Sequence, residues 1–329
     1  NPSGYKAVMD SDLLIMLGTD FPYTKFLPEK TKTIQVDIRE ENIGNRTSVD
    51  LGIHSDIINV VNYFNQKCMP KRDDKFVKKL NREFVEWKKH NCETSDGEKD
   101  FKLLHPQIVA REISDAASDD ALFVIDTGTS AIWSTNFMNF HSGRRIIGSF
   151  NHGSMAVGLP AAIGAQLQFP DREVWAMVGD GAFNMSLQDF STAVEYNLPI
   201  KVVVMNNKEL GFVKIEMEEA GLAPNYDALE VKSFDFVKFA KNVGGDGIEV
   251  SDVSQVIPAL KKAQESDKPF IINAHVAPGE LSLPPQIEFE QAKNFGFSKM
   301  KELFGAIKGD KRQWDNIKNE VEAFFDKGK

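Results

Sequence analysis

The sequence predicts an α/β protein: a large parallel-sheet domain, preceded by part of a second α/β domain and followed by a helical tail. Two observations carry most of this reading. From residue 105 onward, short apolar runs alternate with helical patterns, the rhythm of a parallel sheet covered on both faces. Several of those runs end in glycine or asparagine turns, and ligands of open α/β sheets collect outside such carboxyl ends. A third observation places the tail, where apolar side chains recur at helical spacing beyond residue 299.

Taken in order, residues 12–17 (DLLIML) are an apolar run closed by Gly18 and Thr19, and residues 31–38 (TKTIQVDI) read as a second strand. A helix over 56–64 follows, so residues 1–70 look like part of a βαβ layer. Residues 71–104 are charged and helical in pattern, with a polar close at 91–99, and are expected to be a surface linker. The main domain, 105–283, is expected to hold helices over 108–117, 156–168, 186–196 and 234–240. Its strands are expected over 122–125, 173–178, 200–205 and 270–274. Residues 282–285 (SLPP) break regular structure, and 284–329 form a separate C-terminal region.

Composition narrows the function. With 329 residues and 42% hydrophobic content the chain can bury a sizeable core. A formal charge of −9 leaves no basic excess to neutralise phosphates, which argues against a nucleic-acid partner. Only Cys68 and Cys92 occur, so there is no disulfide framework, a usage that suits a reducing cytoplasm. No apolar stretch approaches the ~18 residues that cross a bilayer, and the first residues do not read as a signal peptide. Any membrane relationship is therefore expected to be peripheral.

The sharpest constellation is Gly179-Asp180-Gly181 at the end of one apolar run and Asn206-Asn207 at the end of another. The 24 residues between them leave room for a turn, a helix and a returning strand, which brings both motifs to one rim. Asp180 offers a carboxylate oxygen and Asn207 an amide oxygen. Mg²⁺ takes oxygen ligands octahedrally at ~2.1 Å, with phosphate oxygens and water completing the shell. Gly179 and Gly181 allow close backbone approach, and a helix starting nearby offers unpaired N–H groups to an anion. Singly, each motif is an ordinary turn; together, each directly after an apolar strand, they point to a diphosphate site.

The pair GDG and NN resembles the signature of thiamine-diphosphate enzymes. The flanking text, residues 148–155 (GSFNHGSM), Leu210-Gly211-Phe212, and 283–287 (LPPQI) with 290–293 (EQAK), is similar to the bacterial pyruvate oxidases, above all their pyruvate:quinone oxidoreductase branch. The similarity runs from Ser11 to about Phe297. It implies that Asp180 and Asn207 are side-chain Mg²⁺ ligands, with Glu209 giving its backbone carbonyl. Gly181 and Ala182 would meet the diphosphate of thiamine diphosphate, and Asn207, Lys208, Glu209, Leu210, Gly211, Phe212 and Val213 would wrap its other side. Gly153, Ser154 and Met155 would contact the aminopyrimidine, with Met155 as the wedge that bends the cofactor; a flexible thioether suits an irregular apolar gap. Phe212, on the loop leaving the site, would move toward the active centre on activation, and Glu216 matches a carboxylate beside the reaction intermediate. His152 is read as a structural histidine.

At the start of the chain, Gly18 ends one strand and Asp37 ends the next, about the distance at which a ribose hydroxyl is taken in dinucleotide sites. There is no GxGxxG. The resemblance implies that Thr19, Asp20, Phe21, Pro22, Tyr23 and Asp37 contact FAD. Relatives of this kind carry a longer glycine-rich segment between the positions of Pro2 and Ser3, and they take an activating glutamate from a partner subunit's N-terminal domain. No segment here matches that domain, so the chain is expected to be a fragment of the enzyme.

The function so implied is oxidative decarboxylation of pyruvate to acetate and CO2, with electrons passing through FAD to a membrane quinone in a homo-oligomer, a dimer of dimers. An oxygen-dependent pyruvate oxidase, an acetolactate synthase and a non-catalytic fragment remain as alternatives. The tail is expected to dock on the inner face of the cell membrane. Met300, Leu303, Phe304 and Ile307 share one helical face, and beyond Gly309-Asp310 so do Trp314, Ile317, Val321, Phe324 and Phe325. An ordinary helix closing the core is the alternative reading.

Overall fold

The computed structural model describes residues 1–94, 102–141, 143–232, 234–280 and 289–327. The chain divides into two compact units, Asn1–Cys92 and Glu93–Lys329.

The first unit holds α1 (Pro2–Met9), β1 (Leu13–Leu17), β2 (Lys32–Asp37), β3 (Leu51–His54), α2 (Ile57–Lys67) and α3 (Lys75–Thr94). Its three strands lie parallel in the order β1-β2-β3. The region expected as a linker is largely the long helix α3, which ion pairs Lys6–Glu83 (3.0 Å) and Lys79–Asp10 (3.6 Å) tie to α1 and its end. Gly18 turns at φ +59, and a Cβ there would stand 2.4 Å from the Ile57 side chain. Only glycine lets β1 end against α2 in this way.

The second unit is built on a six-stranded, all-parallel sheet. In chain order it holds α4 (Pro106–Ala116), β4 (Leu122–Ile125), α5 (Thr129–Phe137), β5 (Arg145–Gly148), α6 (Gly158–Gln168), β6 (Val174–Gly179), α7 (Asp180–Ser186) and α8 (Phe190–Glu195). There follow β7 (Lys201–Asn206), α9 (Gly211–Glu219), α10 (Tyr226–Leu229), α11 (Phe236–Asn242), β8 (Asp246–Val250), α12 (Val256–Gln264), β9 (Phe270–His275), α13 (Phe289–Ile307) and α14 (Lys311–Lys327). Strand order is β5-β4-β6-β7-β9-β8. The strands β4, β6, β7 and β9 are apolar on both faces because both are covered. One core cluster joins them to α4, α5 and α12, with Trp133, Trp175 and Phe270. The other joins them to α6, α7, α8 and α11, with Phe183, Phe190 and Phe236.

This topology creates the crevice. From β4 the chain leaves through α5 on one face, and from β6 through α7 on the other. Between the carboxyl ends of adjacent β4 and β6 the backbone parts, the place where doubly wound sheets take ligands.

Three expectations are corrected. The helix expected over 186–196 begins at Asp180, directly after β6, and a 3-10 turn at 187–189 divides it into α7 and α8. An acidic residue in a first turn favours such an early start. The stretch holding Phe212 and Val213, expected as loop, is the first turn of α9. The strands β5 and β8 and helices α5 and α12 were not anticipated. The expected break at 282–285 and the boundary at 283 lie outside the described residues.

Candidate functional site

Asp180 is 2% exposed at the start of α7. Gly181 N–H donates to its Oδ1 (2.9 Å) and Lys208 N–H to its Oδ2 (2.8 Å), so the carboxylate ties the turn after β6 to the turn after β7. Burial pushes its carboxyl up to about 6, against the pull of those N–H groups. A bound divalent cation would reverse that shift by favouring the charged form.

The second turn is shaped to present oxygens. Lys208 takes a left-handed φ of 62. Asn207 Oδ1 accepts from Glu209 N–H at 3.2 Å, and Glu209 carbonyl accepts from Gly211 N–H at 2.9 Å. The two asparagines divide their work. Asn206 is buried and donates to Asn273 Oδ1 (3.1 Å), Asn273 donates to Glu249 (2.8 Å), and Glu249 meets His275 at 2.7 Å. Asn206 therefore anchors the rim, and Asn207 is left beside Asp180. One carboxylate, one amide oxygen and one carbonyl make a hard-oxygen donor set of the kind Mg²⁺ shares with a diphosphate. No cluster of three or more His, Cys, Asp or Glu that could hold a metal alone occurs among the described residues.

Met155 lies across the crevice. A Cβ on Gly181 would be 3.7 Å from the Met155 methyl and 2.7 Å from a Leu210 methyl, so the bare glycine leaves the diphosphate turn open between two apolar side chains. Gly153 turns at φ +67 and Ala156 at φ +70. The structure thus brings Met155, Gly181 and Leu210 together, with Asp180 tied to Lys208. Phe212, Val213 and Glu216 are exposed on α9. A cleft of about 770 Å³ borders the Asn207–Lys208 turn from the side of α14, where Lys208, His275, Arg312 and Asn316 line it.

Sequence reasoning missed a buried ionic cluster behind this turn. Lys214 Nζ on α9 donates to Asn316 Oδ1 (2.6 Å), pairs with Glu320 (3.0 Å) and stands 3.9 Å from Glu209. Lys299 Nζ pairs with Glu218 (2.8 Å), Glu302 (3.0 Å) and Glu320 (2.8 Å). Burial raises the Glu218 carboxyl more than the lysines lower it. Burial also acts on Glu320, but Lys214 and Lys299 together hold it below the ordinary range. Burial pushes the Tyr226 phenol up, and Glu302, Glu209, Glu320 and Glu218 around it add to the shift.

These contacts dock α13 and α14 through polar side chains. Ser298, Glu302, Gln313 and Asn316 are buried, while Met300, Leu303, Phe304, Ile307, Trp314, Val321, Phe324 and Phe325 are exposed. The apolar faces of both tail helices point outward. No helix among the described residues is long and apolar enough to cross a membrane.

In the first unit, the turn after β1 carries Thr19, Asp20, Phe21, Pro22 and Tyr23. Asp20 makes a bidentate pair with Arg46 (2.8 and 3.1 Å), which holds its carboxyl low. Phe21 and Tyr23 pack edge to face. Asp37 is buried, with Arg39 N–H (2.8 Å) and Asn42 (3.3 Å) on its oxygens, so it also shapes its own turn.

Residues 126–274 match the family model of the thiamine pyrophosphate enzyme C-terminal TPP binding domain, and residues 1–64 match the central domain of the same enzymes. The chain belongs to the thiamine-pyrophosphate-dependent enzyme family, of the acetolactate synthase and pyruvate oxidase kind. The YdaP protein of Bacillus subtilis is 34% identical across 98% of this chain and 54% of its own length. The acetolactate synthase large subunit of Corynebacterium glutamicum is 30% identical across 82% of this chain and 45% of its own. The pyruvate oxidase of Lactiplantibacillus plantarum is 26% identical across 86% and 50%. The chain spans about half the length of the curated relatives it matches. A thiamine diphosphate-dependent 4-hydroxybenzoylformate decarboxylase from Rhodococcus jostii RHA1 superposes with a TM-score of 0.66 at 22% identity, over 83% of this chain and 50% of that one. That likeness shows the fold.

Proposed function

We propose that the protein acts on pyruvate as a thiamine-diphosphate- and FAD-dependent oxidoreductase: pyruvate, water and a membrane quinone become acetate, CO2 and quinol. The observation that carries the choice of a membrane acceptor is the outward apolar face of α13 and α14, held in place by a buried polar one. Bound thiamine diphosphate would supply a carbanion nucleophile and an electron sink for decarboxylation of a 2-oxo acid. Asp180, Asn207 and the Glu209 carbonyl would hold Mg²⁺ on its diphosphate, with Gly181 and Ala182 lining the diphosphate turn. Gly153, Ser154 and Met155 orient its ring. Phe212, exposed at the start of α9, closes the reacting centre against water, and Glu216 one turn on faces the same side of the chemistry. Thr19, Asp20, Phe21, Pro22, Tyr23 and Asp37 take FAD in the first unit, and the working form is a homo-oligomer at the inner membrane face.

Anaerobic addition of pyruvate to full-length, FAD-loaded protein tests this reading. Bleaching of the flavin absorbance with release of acetate is expected; an unbleached flavin would contradict it. Acetolactate synthase is the second reading, favoured by relatives at 28–30% identity over about four-fifths of the chain, and acetolactate as the product would establish it.

Two variants probe the parts. Phe212→Ala is expected to lower kcat about tenfold or more with cofactor affinity nearly unchanged, because its role is closure. Steady-state kinetics with an artificial acceptor checks this, and an unaltered kcat would return Phe212 to packing. Truncation after Gly309 removes Trp314, Phe324 and Phe325 and is expected to reduce co-sedimentation with phospholipid vesicles several-fold. Equal sedimentation of both forms would remove the tail from the mechanism.

A further inference from the structure

Asp126 ends β4 at the crevice and is 1% exposed. It was not among the residues singled out from sequence, and among the described residues no charged side chain pairs with it. Its oxygens instead collect backbone N–H groups. Thr127 N–H donates to Oδ1 (2.8 Å) and Gly158 N–H to Oδ2 (2.9 Å). The N–H groups of Val157 and Ala156 also favour its charged form, against burial, which raises its carboxyl overall.

One N–H hydrogen bond, from Gly158, thus ties the carboxylate to the amino end of α6, and the backbone at 156 and 157 lies close enough to favour its charge. Ala156 is left-handed and Val157 right-handed, the alternation that forms an anion-binding nest. The helix dipole adds to the attraction. Gly158 is needed for the fit: a Cβ there would stand 2.8 Å from Asp126 Oδ2 and 2.5 Å from a Val178 methyl. The next residue extends the clamp, since Thr127 Oγ1 donates to the Ser154 carbonyl at 2.9 Å. Between these two grips lie Met155 and the left-handed Ala156, a conformation that a non-glycine residue holds only when its surroundings impose it.

We propose that Asp126 is a positioning residue: an internal anion that fills the nest at the start of α6 and so fixes the backbone that presents Ser154 and Met155 to the thiamine ring. The connection to the ring rests on the cofactor placement given above; the connection to the turn does not. Asp126 needs no direct contact with substrate or cofactor in this role. It acts through residues 154–158, from the base of the crevice, opposite the Asp180 turn.

Asp126→Asn and Asp126→Ala in the full-length protein test it by amide hydrogen exchange and by titration with thiamine diphosphate and Mg²⁺. In the cofactor-free variants, exchange at 156–158 is expected to quicken about tenfold or more, as loss of charge-assisted hydrogen bonds implies, with β6 and β7 protected as before. The cofactor dissociation constant is expected to rise about tenfold. KM for pyruvate is expected to hold. Asp126→Asn keeps the shape of the side chain and guards against a variant that merely unfolds, which loss of protection throughout the sheet would report. Unchanged exchange at 156–158 in both variants would overturn the nest. Faster exchange with unchanged cofactor affinity would overturn the positioning role. Failure of the wild-type protein to bind thiamine diphosphate would instead overturn the cofactor reading and leave the exchange result standing by itself.

Discussion

Asp180→Ala is expected to abolish measurable Mg²⁺-dependent binding of thiamine diphosphate while the fold persists. The diphosphate needs its cation, and this buried carboxylate is the anionic side chain that the turn after β6 offers to it. Loss of a charged metal ligand costs several kcal/mol, and about 3 kcal/mol already weakens affinity more than a hundredfold. The variant also strips the acceptor from Lys208 N–H, worth about 1–3 kcal/mol in a buried place. Asp180→Asn separates the two effects, since its amide oxygen can still accept from Lys208 while the charge is gone. Titration calorimetry on full-length protein, with circular dichroism for the fold, reads the outcome. Wild-type affinity in Asp180→Ala would remove the residue from the site.

Lys299→Met is expected to release the tail. Lys299 sits among Glu218, Glu302 and Glu320, and the Glu218 and Glu302 side chains are fully buried. Taking one partner from a buried ion cluster strands the others, at a cost of about 3–5 kcal/mol. Lys214 still pairs with Glu320 but makes no ion pair with Glu302. Protonation of Glu218, already favoured by burial, relieves part of the repulsion. The expected result is a C-terminal hairpin that limited proteolysis removes readily, from a sheet domain still folded. A combined Glu218→Gln, Glu302→Gln and Lys299→Met variant should regain much of the docking, because it removes the stranded charges along with the lysine. Equal protease resistance of wild type and Lys299→Met would show that apolar packing, not this cluster, holds the tail.

The sheet was legible where strands are buried on both faces. Runs such as Leu122–Ile125 and Val174–Gly179 are continuous and apolar, and the expected bounds fall within a residue or so of the observed strands. Edge strands were not legible. Arg145–Gly148 and Asp246–Val250 are short, with charged residues and glycines, because one side of each has no neighbouring strand to pack against. Helix α12 was hidden by Pro258, and α5 by apolar residues spread around its circumference.

The site divides in the same way. Asp180 and Asn207 announce themselves as polar residues placed directly after apolar strands. The cluster of Lys214, Glu218, Lys299, Glu302 and Glu320 does not, because its halves on α9 and on the tail helices are about eighty to a hundred residues apart and sit in helices that look solvated. The tail shows the limit of amphipathic reasoning. Its periodicity correctly gave helices, but not which face is inside: here the buried stripe is polar, satisfied by ion pairs, and the apolar stripe is exposed. Asp126 escaped for a simpler reason. A lone acid after a strand carries no signal until the backbone N–H groups that it collects are known.

The cation site itself offers the most direct test. Crystals of the full-length protein grown with thiamine diphosphate and Mn²⁺ in place of Mg²⁺ allow the metal to be located by its anomalous scattering. A single strong peak is expected at ~2.1 Å from an Asp180 carboxylate oxygen, Asn207 Oδ1 and the Glu209 carbonyl, with phosphate oxygens completing the octahedron. A fully occupied cofactor whose metal lies away from Asp180 and Asn207 would contradict the assignment of this rim as the diphosphate site.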